Sequence, residues 1–276
     1  MNNSSSTPVE CCFEEQGQGS AVVFVHGIGS RRVAWQPMIR ALTGRFRCVS
    51  YDLRGHGDSP RGNENPFGLD ELVADLEFVR DRAGIHIMHI VGHSLGGMIG
   101  PAYARKYPKR VRSISLLSTA AFRTEDDSAK VHAVVHAMEQ RGIGPVLDTL
   151  TARWFTDAFA ANNHDVIEAR KKQVLDTPAD IFINVFKIYA GTEMAPWLHE
   201  VKSPCLVLTG ELDGGCNPRL NKLIAGALSD SKLVILEGIK HSILAEAPTQ
   251  VVQHLAPFLE SVDVAQTGSN PAEVLK

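Results

Sequence analysis

The chain has 276 residues, 44% of them hydrophobic and 21% charged, with a formal net charge of −3. That length can bury a large core in one or two domains, and the near-neutral balance gives no reason to expect nucleic acid or an anionic membrane as partner. No apolar run reaches the roughly 18–20 residues of a membrane span, and Met1–Pro8 lacks the basic-then-apolar pattern of a signal peptide, so a cytoplasmic soluble enzyme is expected.

Residues 1–8 are rich in Asn, Ser and Thr, and they and the tail 266–276 are expected to be disordered. The five cysteines are scattered, odd in number and without a Cys-x-x-Cys pair, which favours reduced thiols over a disulfide framework. Ala21–Val25 is a continuous apolar run, the mark of a strand buried on both faces. It runs into the loop His26-Gly27-Ile28-Gly29-Ser30. A helix over 35–42 and a strand over 47–51 follow, then turn chemistry throughout Asp52–Pro60. Leu69, Leu72, Val73, Leu76 and Val79 at helical spacing predict an amphipathic helix over 69–82. The apolar run 85–91 stops at Gly92, a helix is expected over 98–107, and a strand over 111–117.

The alternation of strand and helix then breaks. Residues 122–198 offer only helix-like segments: 127–140 stopped by Gly142, 143–151, 165–175, and one opened by Thr177-Pro178. Alternation resumes with a strand over 205–209, a helix over 218–228, a strand over 233–236 and a helix over 249–259. The pattern predicts a three-layer α/β/α sandwich with a mostly parallel sheet. Residues 9–121 and 199–262 would form its core, and 122–198 an inserted helical cap.

Between the run 85–91 and the next helix lies Gly92-His93-Ser94-Leu95-Gly96, a Gly-x-Ser-x-Gly pattern. A sharp strand-to-helix turn there would expose Ser94 at its tip, with glycines where a β-carbon has no room. A serine hydroxyl needs a base, usually a histidine oriented by a carboxylate. The loops after the strands 205–209 and 233–236 supply Asp213 and His241, with Glu211 as the competing carboxylate. Both loops lie at the carboxyl edge of a parallel sheet, where ligands bind. The amide of Leu95 and that of Ile28, flanked by Gly27 and Gly29, are the expected oxyanion donors, each contributing roughly 3–4 kcal/mol to the transition state.

With these motifs the chain resembles the α/β-hydrolase superfamily over about residues 9–260. The resemblance rests on the His-Gly loop, Asp52-Leu53-Arg54-Gly55-His56-Gly57-Asp58-Ser59, the elbow, and the late Asp213 and His241. Gly96-Gly97-Met98-Ile99-Gly100, Ser118-Thr119-Ala120-Ala121 and Arg153-Trp154-Phe155-Thr156 are similar to the 3-oxoadipate enol-lactonase group, although Lys240 stands where the superfamily often has glycine. The resemblance implies a small ester or lactone as substrate, opened through an acyl-enzyme on Ser94. It also implies an acidic substrate, which one of Arg123, Arg153 or Lys187 facing the pocket would suit. Gly27, Trp154 and Arg153 are the expected substrate contacts.

An amidase or a carbon–carbon bond hydrolase would use the same triad, and a ligand receptor on a hydrolase fold is the competing reading from outside enzymology. His26 and His56 are expected to hold backbone. His132 and His136, at i and i+4, lack the glutamate and third ligand of a zinc site, and the glycine loops lack a nucleotide fingerprint. The expectation is therefore no metal and no organic cofactor. The expected partner is a small-molecule ester or lactone, with neither nucleic acid nor membrane, and a homo-oligomer is compatible with the sequence.

Overall fold

Val22 and Phe24 pack on one side of the sheet and Val23 and Val25 on the other, all four fully buried. A central strand of a parallel sheet covered on both faces requires such a continuous apolar run. The computed structural model of the protein describes residues 7–63 and 66–268.

In chain order the elements begin with β1 (Phe13–Gln16), β2 (Ser20–Val25), α1 (Gln36–Leu42), β3 (Phe46–Tyr51) and α2 (Leu69–Arg82). Next come β4 (Met88–His93), α3 (Gly96–Lys106) and β5 (Val111–Leu117). Five helices follow: α4 (Glu125–Arg141), α5 (Gly144–Trp154), α6 (Asp157–Asn162), α7 (His164–Asp176) and α8 (Ala179–Gly191). The chain closes with β6 (Cys205–Gly210), α9 (Pro218–Ala227), β7 (Ser231–Leu236), α10 (Ile243–Glu246) and α11 (Pro248–Gly268).

The sheet order is β1-β3-β2-β4-β5-β6-β7, with only β1 antiparallel to its neighbour. Helices α1 and α11 cover one face through Met38, Leu42, Val251 and Leu255. On the other face, α2 and α3 share one apolar cluster with Val135, Leu147, Val174 and Phe182 from the five-helix stretch. That stretch therefore has no core of its own. Its first helix starts with a reciprocal cap: Asp127 N–H donates to Thr124 Oγ1 (3.1 Å) and Thr124 N–H to Asp127 Oδ2 (2.9 Å).

Several boundaries differ from the sequence expectation. The first helix is preceded by a 3₁₀ turn, Arg32–Trp35, so its α-helical part starts at Gln36. Pro178 caps α8 from outside instead of opening it. The strand β1, the short helix α6 and α10 carry too little periodicity to be read from sequence. Helix α11 continues past 259 because Val262 keeps the apolar stripe against the sheet, and it runs through 266–268 of the tail expected to be disordered. Thr7, in the other expected tail, is fixed by its carbonyl, which accepts from Arg54 Nη2 (3.3 Å). Residues 1–6 and 269–276 lie outside the described residues. Among the described residues no helix is long and apolar enough to cross a membrane.

Candidate active site

The chain leaves β4 and enters α3 within three residues, which forces Ser94 to φ 55°. That is left-handed backbone, uncommon for a residue with a β-carbon. The turn is closed by Ser94 N–H donating to Leu117 O (2.9 Å) and by Thr119 Oγ1 donating to Ser94 O (2.9 Å). A β-carbon on Gly92 would meet Gly96 O at 2.1 Å, and one on Gly96 would meet Val25 O at 2.1 Å. The glycines of the motif are there because backbone passes backbone at these two points.

Asp213 lies just beyond β6 and is 2% exposed. Its Oδ1 accepts the amides of Gly215 (3.0 Å) and Cys216 (2.8 Å), and its Oδ2 accepts from His241 Nδ1 (2.7 Å). Burial opposes its ionisation most, but the His241 charge and hydrogen bond and the two amides outweigh it and hold the carboxyl below its ordinary range. For His241, burial likewise opposes the charge, while Asp213 raises the imidazole pKa well above the ordinary value. Glu211 is exposed and accepts instead from Gly238 N–H (3.0 Å). The structure thus puts Asp213, and not Glu211, on His241. The elbow also reaches the histidine loop, since His93 Nε2 donates to the His241 carbonyl (3.0 Å).

The loop after β2 is held by several hydrogen bonds. His26 Nδ1 donates to Gly27 O (2.8 Å), and His26 Nε2 accepts Leu53 N–H (2.9 Å), which fixes a neutral tautomer. Burial, then the neighbouring His56, lowers the His26 pKa well below its ordinary value. Ser30 N–H also donates to Gly27 O (3.2 Å), and Gly29 N–H donates to His56 Nε2 (3.2 Å). In a trans peptide the N–H points opposite to the preceding C=O. Pinning Gly27 O therefore turns Ile28 N–H the other way. Among the described residues neither the Ile28 nor the Leu95 amide has a protein acceptor. Gly27 backs the serine, for a β-carbon there would sit 3.0 Å from Ser94 Cβ.

Ser94, Asp213 and His241 line one cavity of about 440 Å³, within the range of small-molecule sites. Its walls include Trp154, Arg153, Arg123 and Arg170 from the five-helix stretch and its lead-in. Arg123 Nη1 donates to Tyr189 O and Thr192 O (both 3.0 Å), and its guanidinium stacks on the Tyr189 ring at 4.4 Å. Its Nε and Nη2 are buried and have no acceptor among the described residues. Arg170 stacks on Trp154 at 4.8 Å, and burial lowers its pKa to about 10, so it stays charged at neutral pH. Asp213, Cys216 and His241 bring potential metal-ligating atoms within 4.8 Å of one another, but those of the aspartate and Nδ1 of the histidine are engaged in the hydrogen bonds above.

Against known families, the one described as alpha/beta hydrolase fold matches residues 20–161, more than half of the chain. The chain belongs to the α/β-hydrolase family. It is 25% identical to 3-oxoadipate enol-lactonase 1 of Acinetobacter baylyi (strain ATCC 33305 / BD413 / ADP1) over 88% of this chain and 89% of that one. It is 23% identical to (E)-2-((N-methylformamido)methylene)succinate hydrolase of the same strain, over 90% and 94% of the two chains. Among solved structures, the enol-lactonase from Burkholderia xenovorans LB400 superposes with a TM-score of 0.84 at 22% identity, covering 91% of this chain and 98% of that one. A thermophilic esterase from Thermogutta terrifontis, in its malate-bound form, does so with a TM-score of 0.83 at 25% identity, covering 92% and 94%. Family membership and these relatives support hydrolase activity.

In this α/β-hydrolase the residues singled out from sequence fall into three groups. Ser94, Asp213 and His241 line one cavity with Ile28, Trp154 and Arg153, whereas Leu95, next in the chain to Ser94, is fully buried and is not in the cavity wall. Gly27 is not in that wall; it lies behind the serine. Lys187 is outside the cavity and pairs with Glu139 (2.6 Å) at half exposure. Lys240, the departure from the superfamily pattern, donates to Ala152 O (2.8 Å) and, with Ser242 N–H on Trp154 O (2.8 Å), ties the histidine loop to the end of α5. Arg170 was missed. Its only sequence signal is its place three residues after Ile167 and four before Val174, the buried residues of α7, where a long cation by default lays its stem on the apolar face and its head in water.

Proposed function

We propose that this protein is a serine hydrolase that opens a small carboxylic ester or lactone through an acyl-enzyme on Ser94. The observation that carries the reading is a strained Ser94 sharing a cavity with the 2.7 Å Asp213–His241 pair, beside two unpaired amides. In the forward step Ser94 Oγ attacks the carbonyl carbon while His241 Nε2 takes its proton. The tetrahedral oxyanion is held by the Ile28 and Leu95 N–H groups. His241 then protonates the leaving oxygen, which in a lactone stays attached to the acyl group. Water, deprotonated by the same imidazole, releases the acid. Asp213 keeps the Nδ1–H tautomer and stabilises the imidazolium. Helices α4–α8 act as a cap that shapes the acyl site.

The preferred substrate carries a second carboxylate, as an enol-lactone of a dicarboxylic acid would. Support comes from Arg123 in the cavity wall, whose Nε and Nη2 have no acceptor among the described residues, from the dicarboxylic names of two relatives, and from the malate-bound esterase. The relative acting on an N-methylformamido compound favours an amide bond as the second reading. Turnover of a panel of neutral and acidic aryl esters, lactones and small amides tests both. Ester and lactone turnover exceeding amide turnover is expected, and fast cleavage of amides alone would replace the first reading by the second.

A further inference from the structure

Arg170 projects from α7 into the oxyanion loop after β2. Its Nη2 donates to Ile28 O (2.9 Å), its Nη1 donates to Gly29 O, and Nη1 also reaches Gln173 Oε1 (2.9 Å). Its guanidinium lies over the Trp154 ring, 4.8 Å from the centroid. Among the described residues no carboxylate pairs with this cation. A part-buried guanidinium without an acid is costly unless its donors are well used, and here the carbonyl ends of two successive peptides use them.

Those two peptides directly follow the one whose N–H belongs to Ile28. Holding Gly29 O keeps Ser30 N–H, on the opposite side of the same peptide plane, donating to Gly27 O (3.2 Å), and holding Ile28 O likewise keeps Gly29 N–H on His56 Nε2 (3.2 Å). A flip of the Gly27–Ile28 plane would therefore break the hydrogen bond from Ser30. Such a flip would turn Gly27 O, a negative dipole end, toward the place where negative charge develops. We infer that Arg170 is a positioning residue for the oxyanion hole: it locks the Ile28–Gly29 carbonyls so that Ile28 N–H stays aimed at the Ser94 side of the cavity. The inference rests on the reading of Ile28 as an oxyanion donor. It makes a helix of the cap part of the catalytic geometry, since α7 must be docked for the loop to be held.

The test uses the full chain with Arg170→Met, which keeps most of the length and an apolar contact with Trp154, and Arg170→Lys, which keeps charge but not the fork. With 4-nitrophenyl acetate, a small neutral ester that needs no cationic contact, Arg170→Met should lower kcat about 10²-fold, the order found on losing an oxyanion donor, and leave KM within about threefold. Affinity for an alkylboronic acid, whose serine adduct places an oxygen in the oxyanion hole, should fall by a similar factor. Arg170→Lys should recover about a tenth to a half of the parental rate, having one donor in place of two. In parental protein the Ile28 amide proton should move downfield on boronate binding, and Arg170→Met should lose most of that shift. If Ile28 does not respond in the parent, the oxyanion reading fails and takes the inference with it. If Ile28 responds in the parent and Arg170→Met keeps kcat, boronate affinity and the shift, the inference alone is overturned. A rise in KM with boronate affinity intact also overturns it, making Arg170 a ground-state contact. Should Arg170→Met not fold, Arg170→Lys decides by the same readouts.

Discussion

Replacing Arg123 by glutamine should abolish a preference for acidic acyl groups while sparing neutral ones. Arg123 lines the cavity, its Nε and Nη2 have no acceptor among the described residues, and Nη1 is held by two backbone carbonyls of the α8 end. A hydrogen bond to a charged group contributes about 1.5–3 kcal/mol, and each 1.4 kcal/mol is tenfold. One such bond to a substrate carboxylate therefore corresponds to roughly 10- to 150-fold in discrimination. The assay compares kcat/KM for 4-nitrophenyl hydrogen succinate with that for 4-nitrophenyl butyrate, two esters of nearly the same shape differing in the terminal carboxylate. Arg123→Gln should lower the succinate-to-butyrate ratio by that factor, mainly through KM. Arg153→Gln, at the exposed rim, should change the ratio by only a few-fold, and Lys187→Gln, paired with Glu139 outside the cavity, should not change it. A ratio that is the same in parent and Arg123→Gln refutes the reasoning, and the protein is then better described as a general esterase.

Asp213→Asn should cost about 10⁴-fold in kcat by favouring the wrong imidazole tautomer, with the fold intact, whereas Glu211→Gln should be mild; the reverse order would mean the wrong carboxylate has been assigned. Because Asp213 raises the His241 pKa, ester hydrolysis should increase with pH as His241 loses its proton, with a midpoint above about 6.5 that moves down in Asp213→Asn. Stability should follow a different rule. Burial lowers His56 and His89 to about 4 and His93 to about 3, so they fold neutral while the unfolded chain takes up protons below about 6.5. Their contribution is complete above that pH and is lost as pH falls toward 4, by roughly 2 kcal/mol each between pH 6.5 and 5 at 1.36 kcal/mol per unit. The opposite contribution of His241 is complete below about 6.5 and is lost as pH rises through its folded pKa, so it does not mask this loss. Urea titrations should show falling stability from pH 7 to 5, with a slope shallower by about one proton in His89→Gln; a flat profile contradicts the assignment.

How much of this was legible in the sequence depends on the range of the interaction that decides each feature. The strands were legible because burial on both faces leaves a local trace, as in Val22–Val25. Ser94, Asp213 and His241 were legible because each follows a strand directly, and a parallel sheet brings those strand ends to one edge. Asp213 was preferred over Glu211 because it lies farther into the loop, and the amides of Gly215 and Cys216 and the His241 ring show that this carboxylate is the one facing inward. Arg170 and the unpaired face of Arg123 were not legible. Their roles arise where α7 and the start of the helical insert meet the loop and the sheet edge, contacts between residues some 140 positions apart in the first case. The strand β1 is four residues long with mostly exposed side chains, so it has no apolar alternation to betray it.

The central claim is that Ser94 is the nucleophile and His241 its base. Intact-mass and peptide-mapping analysis after treatment with an alkyl fluorophosphonate tests it most directly. One adduct per chain on Ser94 is predicted, formed together with loss of ester hydrolysis, absent in Ser94→Ala and slowed by several orders of magnitude in His241→Ala. Labelling at a different residue, or full esterase activity in Ser94→Ala, would contradict it.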